Sequence, residues 1–174
     1  MNRWRKIVGF LFTMFLSIFG VYFYSQMNYQ GVTLKFIFEV QFAEGQIYEG
    51  LYSLWASGFA CDWWYFFSFE NIGTEGLANI LANPVVLPAI LSWFTAGFMG
   101  GVFMRKPRFG FYMSMGYYSF WVIFLVIFMI LAGADLTQMF TIGFYTTTGK
   151  LMTGLIWINI GGVLGGLIAN EDFK

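Results

Sequence analysis

The stretch of sequence that decides the fold lies at residues 110–132 and reads GFYMSMGYYSFWVIFLVIFMILA. It contains no charged side chain, and its length lies within the roughly 17 to 25 residues that a helix needs to cross the hydrocarbon core of a bilayer. Because lipid offers the backbone no hydrogen-bond partners, a crossing segment of this length has to be helical. We therefore predict a transmembrane helix at residues 110–132.

Three further uncharged stretches have a similar length and lie at residues 7–24, 86–104 and 151–169. The composition agrees, since 59% of the residues are apolar and only 10% are charged, against roughly 25% charged residues in typical soluble domains. A soluble domain of 174 residues could not bury that much apolar surface. The sequence thus predicts one all-α integral membrane domain, residues 1–174, with four transmembrane helices.

The distribution of basic residues predicts the orientation of this domain. Seven of the nine basic residues fall before the first span, in the turn at residues 105–109, or after the fourth span. Only Lys35 and Lys150 fall in the other two loops, residues 26–85 and 133–150. Short segments rich in basic residues face the cytoplasm. We therefore expect a multi-pass protein of the cell membrane with both termini in the cytoplasm.

The first of the two outer loops, residues 26–85, is too long for a structureless connection, and we expect it to form a small extracytoplasmic cap. Residues 32–42 alternate between apolar and polar side chains, which is typical of a half-buried β-strand. Residues 47–59 carry apolar side chains at helical spacing and predict an amphipathic helix that lies on the membrane surface or covers the strand. Thr74 is a candidate cap for a short helix at residues 75–82.

Tryptophans near the predicted membrane boundaries are candidate interfacial anchors, because the indole ring is apolar while its N–H is polar. The strongest signal is the aromatic cluster at residues 63–67, WWYFF, for which a ligand cage is the alternative. The predicted anchors are Trp55, Trp63, Trp64, Trp93 and Trp157.

The second and fourth spans share a glycine spacing that predicts close helix packing. Trp93-x3-Gly97-x3-Gly101 in one span corresponds to Trp157-x3-Gly161-x3-Gly165 in the other, and Gly162 and Gly166 add a second stripe of small residues. Glycines four residues apart lie on one helix face and let another backbone approach. The sequence leaves open whether the two spans pack on each other or on a partner chain.

Asn159 lies in the fourth predicted span, near the middle of the membrane. A buried amide at such a depth usually makes a hydrogen bond to another helix, worth roughly 0.6 to 2 kcal/mol. We expect Asn159 to have this packing role, with a place in a solute pathway as the alternative.

Several kinds of chemistry lack the residues they need. The chain has no histidine and only one cysteine, which argues against haem, iron–sulfur and zinc sites and removes the usual general base. The predicted spans hold no charged residue, which argues against ion-coupled transport. Net charge is zero, and neither a basic run nor a phosphate-binding loop occurs. We expect no catalytic residue, cofactor or metal, and no nucleic-acid or nucleotide partner.

The function that fits this inventory best is a non-catalytic structural or accessory subunit of a larger membrane complex. Its expected partners are membrane lipids and other membrane protein subunits, in a hetero- or homo-oligomer. The alternative is a transporter or channel component for a neutral or lipid-like solute. Weakly polar side chains could line a narrow path for such a solute, namely Thr13, Ser17, Thr95, Ser114 and Thr153.

In outline the chain resembles the claudins, which have four spans, inside termini and a long first outer loop. The string Tyr48-Glu49-Gly50-Leu51 in that loop is similar to theirs. Claudins carry a tryptophan after Gly-Leu and a cysteine pair, whereas this chain has Tyr52 and the single Cys61. The resemblance covers topology and four residues, so we assign no family. It implies lateral or cell-contact assembly, which is consistent with an accessory subunit.

Overall fold

The computed structural model describes residues 3–29, 32–57, 84, 86–135, 137 and 144–170, and these are mostly helical. In chain order the elements are α1 (Arg3–Tyr24), β1 (Asn28–Tyr29), β2 (Val32–Thr33), α2 (Leu34–Phe36), a π-helical segment (Ile37–Phe42), α3 (Ile47–Ala56), α4 (Val86–Met104), α5 (Pro107–Leu131) and α6 (Phe144–Ile168). Within the described residues, α1, α4, α5 and α6 are long and apolar enough to cross a membrane. The prediction of four such helices is confirmed.

Helix α4 lies at the centre of the bundle. Of the residues in its most apolar 18-residue stretch, 56% are buried inside the protein, compared with 39% for α1 and 33% for α5. It runs antiparallel to α1, since Gly9 lies against Phe103 and Gly20 lies against Ser92. The bundle therefore has an Arg3 end, which holds the α4–α5 turn, and a Tyr24 end, where α4 begins.

The turn between α4 and α5 is shorter than the predicted segment at residues 105–109. Arg105 ends α4 with a left-handed backbone, φ 57°, the conformation that commonly stops a helix. Lys106 is extended, and α5 begins at Pro107, where the fixed φ and missing N–H of proline suit the first helical residue. Only two residues separate the helices, so α5 folds back directly against α4.

Helix α6 begins at Phe144, before the start that was predicted at residue 151. Residues 144–150, which were predicted as part of the loop at 133–150, are therefore helical. The polar side chains of Thr147, Thr148 and Lys150 mark the end of the apolar run but do not stop a helix. The Thr153 hydroxyl, one turn further on, donates to the carbonyl oxygen of Gly149 at 3.0 Å and so bonds back along the same helix.

The strand predicted at residues 32–42 is wrong over most of its length. Only Val32 and Thr33 are extended, and they pair antiparallel with Asn28 and Tyr29. After this pair no further strand is available among the described residues, and a lone strand leaves its backbone groups without partners. The Thr33 hydroxyl instead accepts the Phe36 N–H at 3.1 Å and starts a helix.

Ile37 is apolar although the alternation of residues 32–42 predicts a polar side chain there, and it is completely buried. Its burial marks the side on which this π-helical segment contacts the rest of the protein. The helix predicted at residues 47–59 is present as α3 over Ile47–Ala56. Trp63, Trp64 and the short helix predicted at residues 75–82 lie outside the described residues.

Candidate helix-packing site

The glycines of the two predicted motifs meet each other at the contact between α4 and α6. A Cβ placed on Gly97 would lie 2.8 Å from the carbonyl carbon of Ile158. One placed on Gly101 would lie 2.9 Å from the carbonyl carbon of Gly162. Carbon atoms normally approach no closer than about 3.5 Å. No side chain fits at either position, so the two backbones touch here.

The contact is reciprocal, because the glycines of α6 lie against the backbone of α4. A Cβ on Gly161 would lie 2.8 Å from the Phe98 nitrogen, and one on Gly165 would lie 2.9 Å from the Phe98 carbonyl carbon. The numbering rises together along both helices, so α4 and α6 run parallel. Since each glycine face covers the other, neither is free to receive a partner chain.

Helix α5 closes over the same glycine face of α6. A Cβ on Gly110 would lie 2.9 Å from the carbonyl carbon of Gly162, and one on Gly166 would lie 2.7 Å from the carbonyl carbon of Lys106. The second small stripe, Gly162 and Gly166, therefore contacts both Gly101 of α4 and the beginning of α5, while Gly161 and Gly165 pack on α4. Sequence reasoning did not include Gly110, although Gly110-x3-Ser114 has the same small-residue spacing.

The contact between α1 and α4 is a seam of small and hydroxyl side chains that sequence reasoning also missed. The Thr13 hydroxyl donates to the carbonyl oxygens of Gly9 and Ala96, at 2.8 and 3.2 Å. The Ser92 hydroxyl donates to the Leu16 carbonyl oxygen at 2.8 Å. The available signal was a pair of four-residue repeats, Gly9-Thr13-Ser17 in α1 and Ser92-Ala96-Gly100 in α4.

Two of the predicted interfacial tryptophans lie in the interior instead. Trp93 is 1% exposed, and its ring packs edge-on against Trp121 with the centroids 4.8 Å apart. Trp55 is 8% exposed and donates its indole N–H to the Trp121 carbonyl oxygen at 2.9 Å. Neither ring is available as an anchor among lipid headgroups. Trp157 is half-buried, with its ring 6.5 Å from that of Phe94.

Asn159 lies at the contact between α6 and α5. Its amide nitrogen Nδ2 donates to the Leu155 carbonyl oxygen at 2.7 Å and contacts the Met115 sulfur at 3.3 Å. Its amide oxygen Oδ1 is buried, with no hydrogen-bond partner in the described part of the chain. The one contact that Asn159 makes to another helix is thus to a thioether, which is a weak acceptor.

The substitution Asn159→Leu is expected to change the free energy of unfolding by no more than about 0.5 kcal/mol. Leucine has a similar size and removes a buried acceptor that lacks a partner, which offsets the lost hydrogen bond. The measurement is reversible unfolding of the purified protein in mixed detergent micelles. A loss of more than about 2 kcal/mol would mean that the amide makes a strong hydrogen bond that the described contacts do not include.

Comparisons of this chain with protein-family models, with curated protein sequences and with solved structures found no match. The site is thus defined by its own geometry, as a set of contacts in which glycines and hydroxyl groups bring four helices to backbone distance.

Proposed function

We propose that this chain is a non-catalytic subunit with a structural or accessory role in a larger membrane complex. The observation that carries the proposal is how the polar groups inside the four long helices are used. The hydroxyl groups of Thr13, Ser92, Thr95 and Thr153 all donate to backbone carbonyl oxygens. The bonds of Thr13 and Ser92 join α1 to α4, those of Thr95 and Thr153 stay within their own helices, and none of these hydroxyl protons is presented to a substrate.

The outward surface supports the proposal from another direction. Helix α6 presents a row of aliphatic side chains at every fourth residue, each about 40% exposed or more: Met152, Ile156, Ile160, Leu164 and Ile168. Since the glycine faces are used within the chain, a partner helix has to bind outward side chains such as these. Helix association in lipid depends on close van der Waals packing, for which a continuous aliphatic row is suitable.

For the orientation we propose cytoplasmic termini. The contacts of Gly9 with Phe103 and of Gly166 with Lys106 bring the ends of α1, α4 and α6 to the same end of the bundle. The basic residues of the N-terminus and of the α4–α5 turn therefore gather at the Arg3 end. This is the distribution that the positive-inside rule assigns to the cytoplasmic face.

The test is extraction of a tagged copy from its native membrane in mild detergent, at native expression level. We expect it to migrate far above the mass of a single chain, together with a fixed set of membrane proteins identified by mass spectrometry. An untagged parent strain gives the background to subtract. If the chain migrates alone or only with further copies of itself, the accessory role in a larger complex is wrong.

The alternative, a transport component for a neutral or lipid-like solute, has less support. Of the five side chains proposed to line a path, Thr13, Thr95 and Thr153 donate to backbone carbonyl oxygens, and Ser17 bonds to Met14 and to Tyr117. Only the Ser114 hydroxyl is buried without a hydrogen-bond partner in the described residues. Solute flux into vesicles that contain the purified chain would favour this alternative.

A further inference from the structure

Helix α3 ends in two hydrogen bonds to the backbones of helices that have membrane-spanning length. The Ser57 hydroxyl, just after α3, lies 2.7 Å from the carbonyl oxygen of Leu54 in α3 and 3.1 Å from that of Ile18 in α1, so its one proton is shared between the two acceptors. The Trp55 indole N–H donates to the carbonyl oxygen of Trp121 in α5 at 2.9 Å. Ser57 has a short side chain, so its backbone has to lie at the same level as Ile18.

The positions of these two acceptors give the depth of the contact. Ile18 precedes the end of α1 at Tyr24 by six residues, which is about 9 Å at helical rise. Trp121 precedes the end of α5 at Leu131 by ten residues, which is about 15 Å. Half of a hydrocarbon core is about 15 Å thick. If the long helices cross the membrane, the end of α3 therefore lies inside the apolar layer.

The opposite end of α3 has the character of a water-exposed turn. Glu44 and Glu49 are both exposed, and Gly45 between them has a positive φ of 80°. Glu49 precedes Ser57 by eight residues, about 12 Å along a helix. That distance is enough to lift the carboxylate to the Tyr24 end of the bundle, where water is available. The exposed charges and the deep hydrogen bonds thus lie at opposite ends of one short helix.

The position of the next described helix distinguishes a re-entrant helix from an additional membrane crossing. The next described helix, α4, begins at Val86 at the Tyr24 end, because Gly20 of α1 lies against Ser92 of α4. Helix α4 therefore begins at the end of the bundle from which α3 enters, so α3 cannot be a single additional crossing between the described helices. We infer that α3 is a re-entrant helix, with its Trp55–Ser57 end inserted about 9 Å or more into the bilayer.

The contacts of this inserted end satisfy the requirements of an apolar layer. A buried N–H without an acceptor costs several kcal/mol in lipid, and the Trp55 indole N–H has its acceptor in Trp121. Its ring also packs against Phe124 and Phe128 of α5, at centroid distances of 5.7 and 5.3 Å. A helix lying flat on the membrane surface, one of the two arrangements predicted from the sequence, would hold all its residues at one depth. The inference instead places the two ends of α3 at different depths.

The test compares three positions on one face of α3, at Tyr48, Tyr52 and Ala56, which are four residues apart. Each is replaced by cysteine in a Cys61→Ser chain, labelled with an environment-sensitive fluorophore, and reconstituted into phospholipid vesicles. Lipids brominated in the acyl chains quench fluorophores inside the hydrocarbon. The inference predicts the largest loss of fluorescence for Ala56→Cys, a smaller loss for Tyr52→Cys and the smallest for Tyr48→Cys.

Equal quenching at all three positions overturns the inference, because it is the pattern of a helix parallel to the membrane plane. Absence of quenching at Ala56→Cys overturns it as well. If the Ala56→Cys chain does not fold, the difference between Tyr52→Cys and Tyr48→Cys decides in the same way. The experiment uses the purified full chain alone, so its result is independent of whether the chain is an accessory subunit.

Discussion

Gly101→Ala is expected to lower the free energy of unfolding by about 3 kcal/mol, the upper part of the range for overpacking in a core. The added methyl group would meet the backbone of α6, 2.8 Å from the Gly166 nitrogen and 2.9 Å from the Gly162 carbonyl carbon. A flexible side chain could move aside, but a helical backbone cannot move without separating α4 from α6. The glycine positions Gly97, Gly161 and Gly165 face backbone in the same way.

The matched control is Gly116→Ala in α5, where a new Cβ would meet no atom within 4 Å. Alanine is the better helix former by about 1 kcal/mol, so this variant should be as stable as the parent or slightly more stable. Both variants are measured by reversible unfolding in mixed micelles. The same glycine-to-alanine change should lower the free energy of unfolding at position 101 and leave it unchanged or slightly raise it at position 116. Equal stability of the two variants would show that α4 and α6 do not touch at Gly101.

The four helices could be predicted from the sequence because the signal is an absence of charge over a required length. Lipid imposes that requirement on every spanning helix, whatever its neighbours. The start of α6 was less well predicted for the same reason. Thr147 and Lys150 lower the apolar character of the segment. Because a helix can extend beyond the hydrocarbon, composition predicted where the apolar stretch begins and not where the helix begins.

The glycine motifs predicted a close contact without predicting its partner. Spacing defines a face on one helix, whereas the identity of the opposing helix depends on how the whole chain folds. The α1–α4 seam was missed because its spacing combines glycine with hydroxyl residues. Thr13 looked like lining for a solute path, and Ser92 was not singled out, but each donates its hydroxyl to a carbonyl oxygen of the opposing helix. Only the folded backbone determines which of these uses applies.

The prediction of a strand at residues 32–42 and the prediction that Trp55 and Trp93 lie at the interface failed for a related reason. A period of two at residues 32–42 is a local pattern, but a strand also needs neighbouring strands, which the local sequence cannot provide. Trp93 and Trp55 matched the composition of an interfacial belt, yet both rings fill the interior around Trp121. An aromatic side chain in a membrane protein can face lipid or another helix, and the sequence alone does not separate these cases.

This interior gives the second large expected effect, because Trp93→Ala should lower the free energy of unfolding by about 3 to 5 kcal/mol. The Trp93 ring is 1% exposed and lies edge-on to both Trp121 and Tyr118, at centroid distances of 4.8 and 5.4 Å. Gly154 of α6 lies so close that a Cβ there would be 3.1 Å from the ring. Removing the ring leaves a cavity that rigid helices cannot close.

The matched control for this variant is Trp4→Ala, because the Trp4 side chain is 71% exposed and its loss opens no cavity. Trp93→Phe keeps an aromatic ring in the same place, so its free energy of unfolding should lie between those of Trp93→Ala and Trp4→Ala. Reversible unfolding in mixed micelles orders the three variants. If Trp93→Ala costs no more than Trp4→Ala, Trp93 faces lipid and the packing around Trp121 is wrong. The expected order would instead show that this bundle is held together at its centre by rings which composition assigned to its surface.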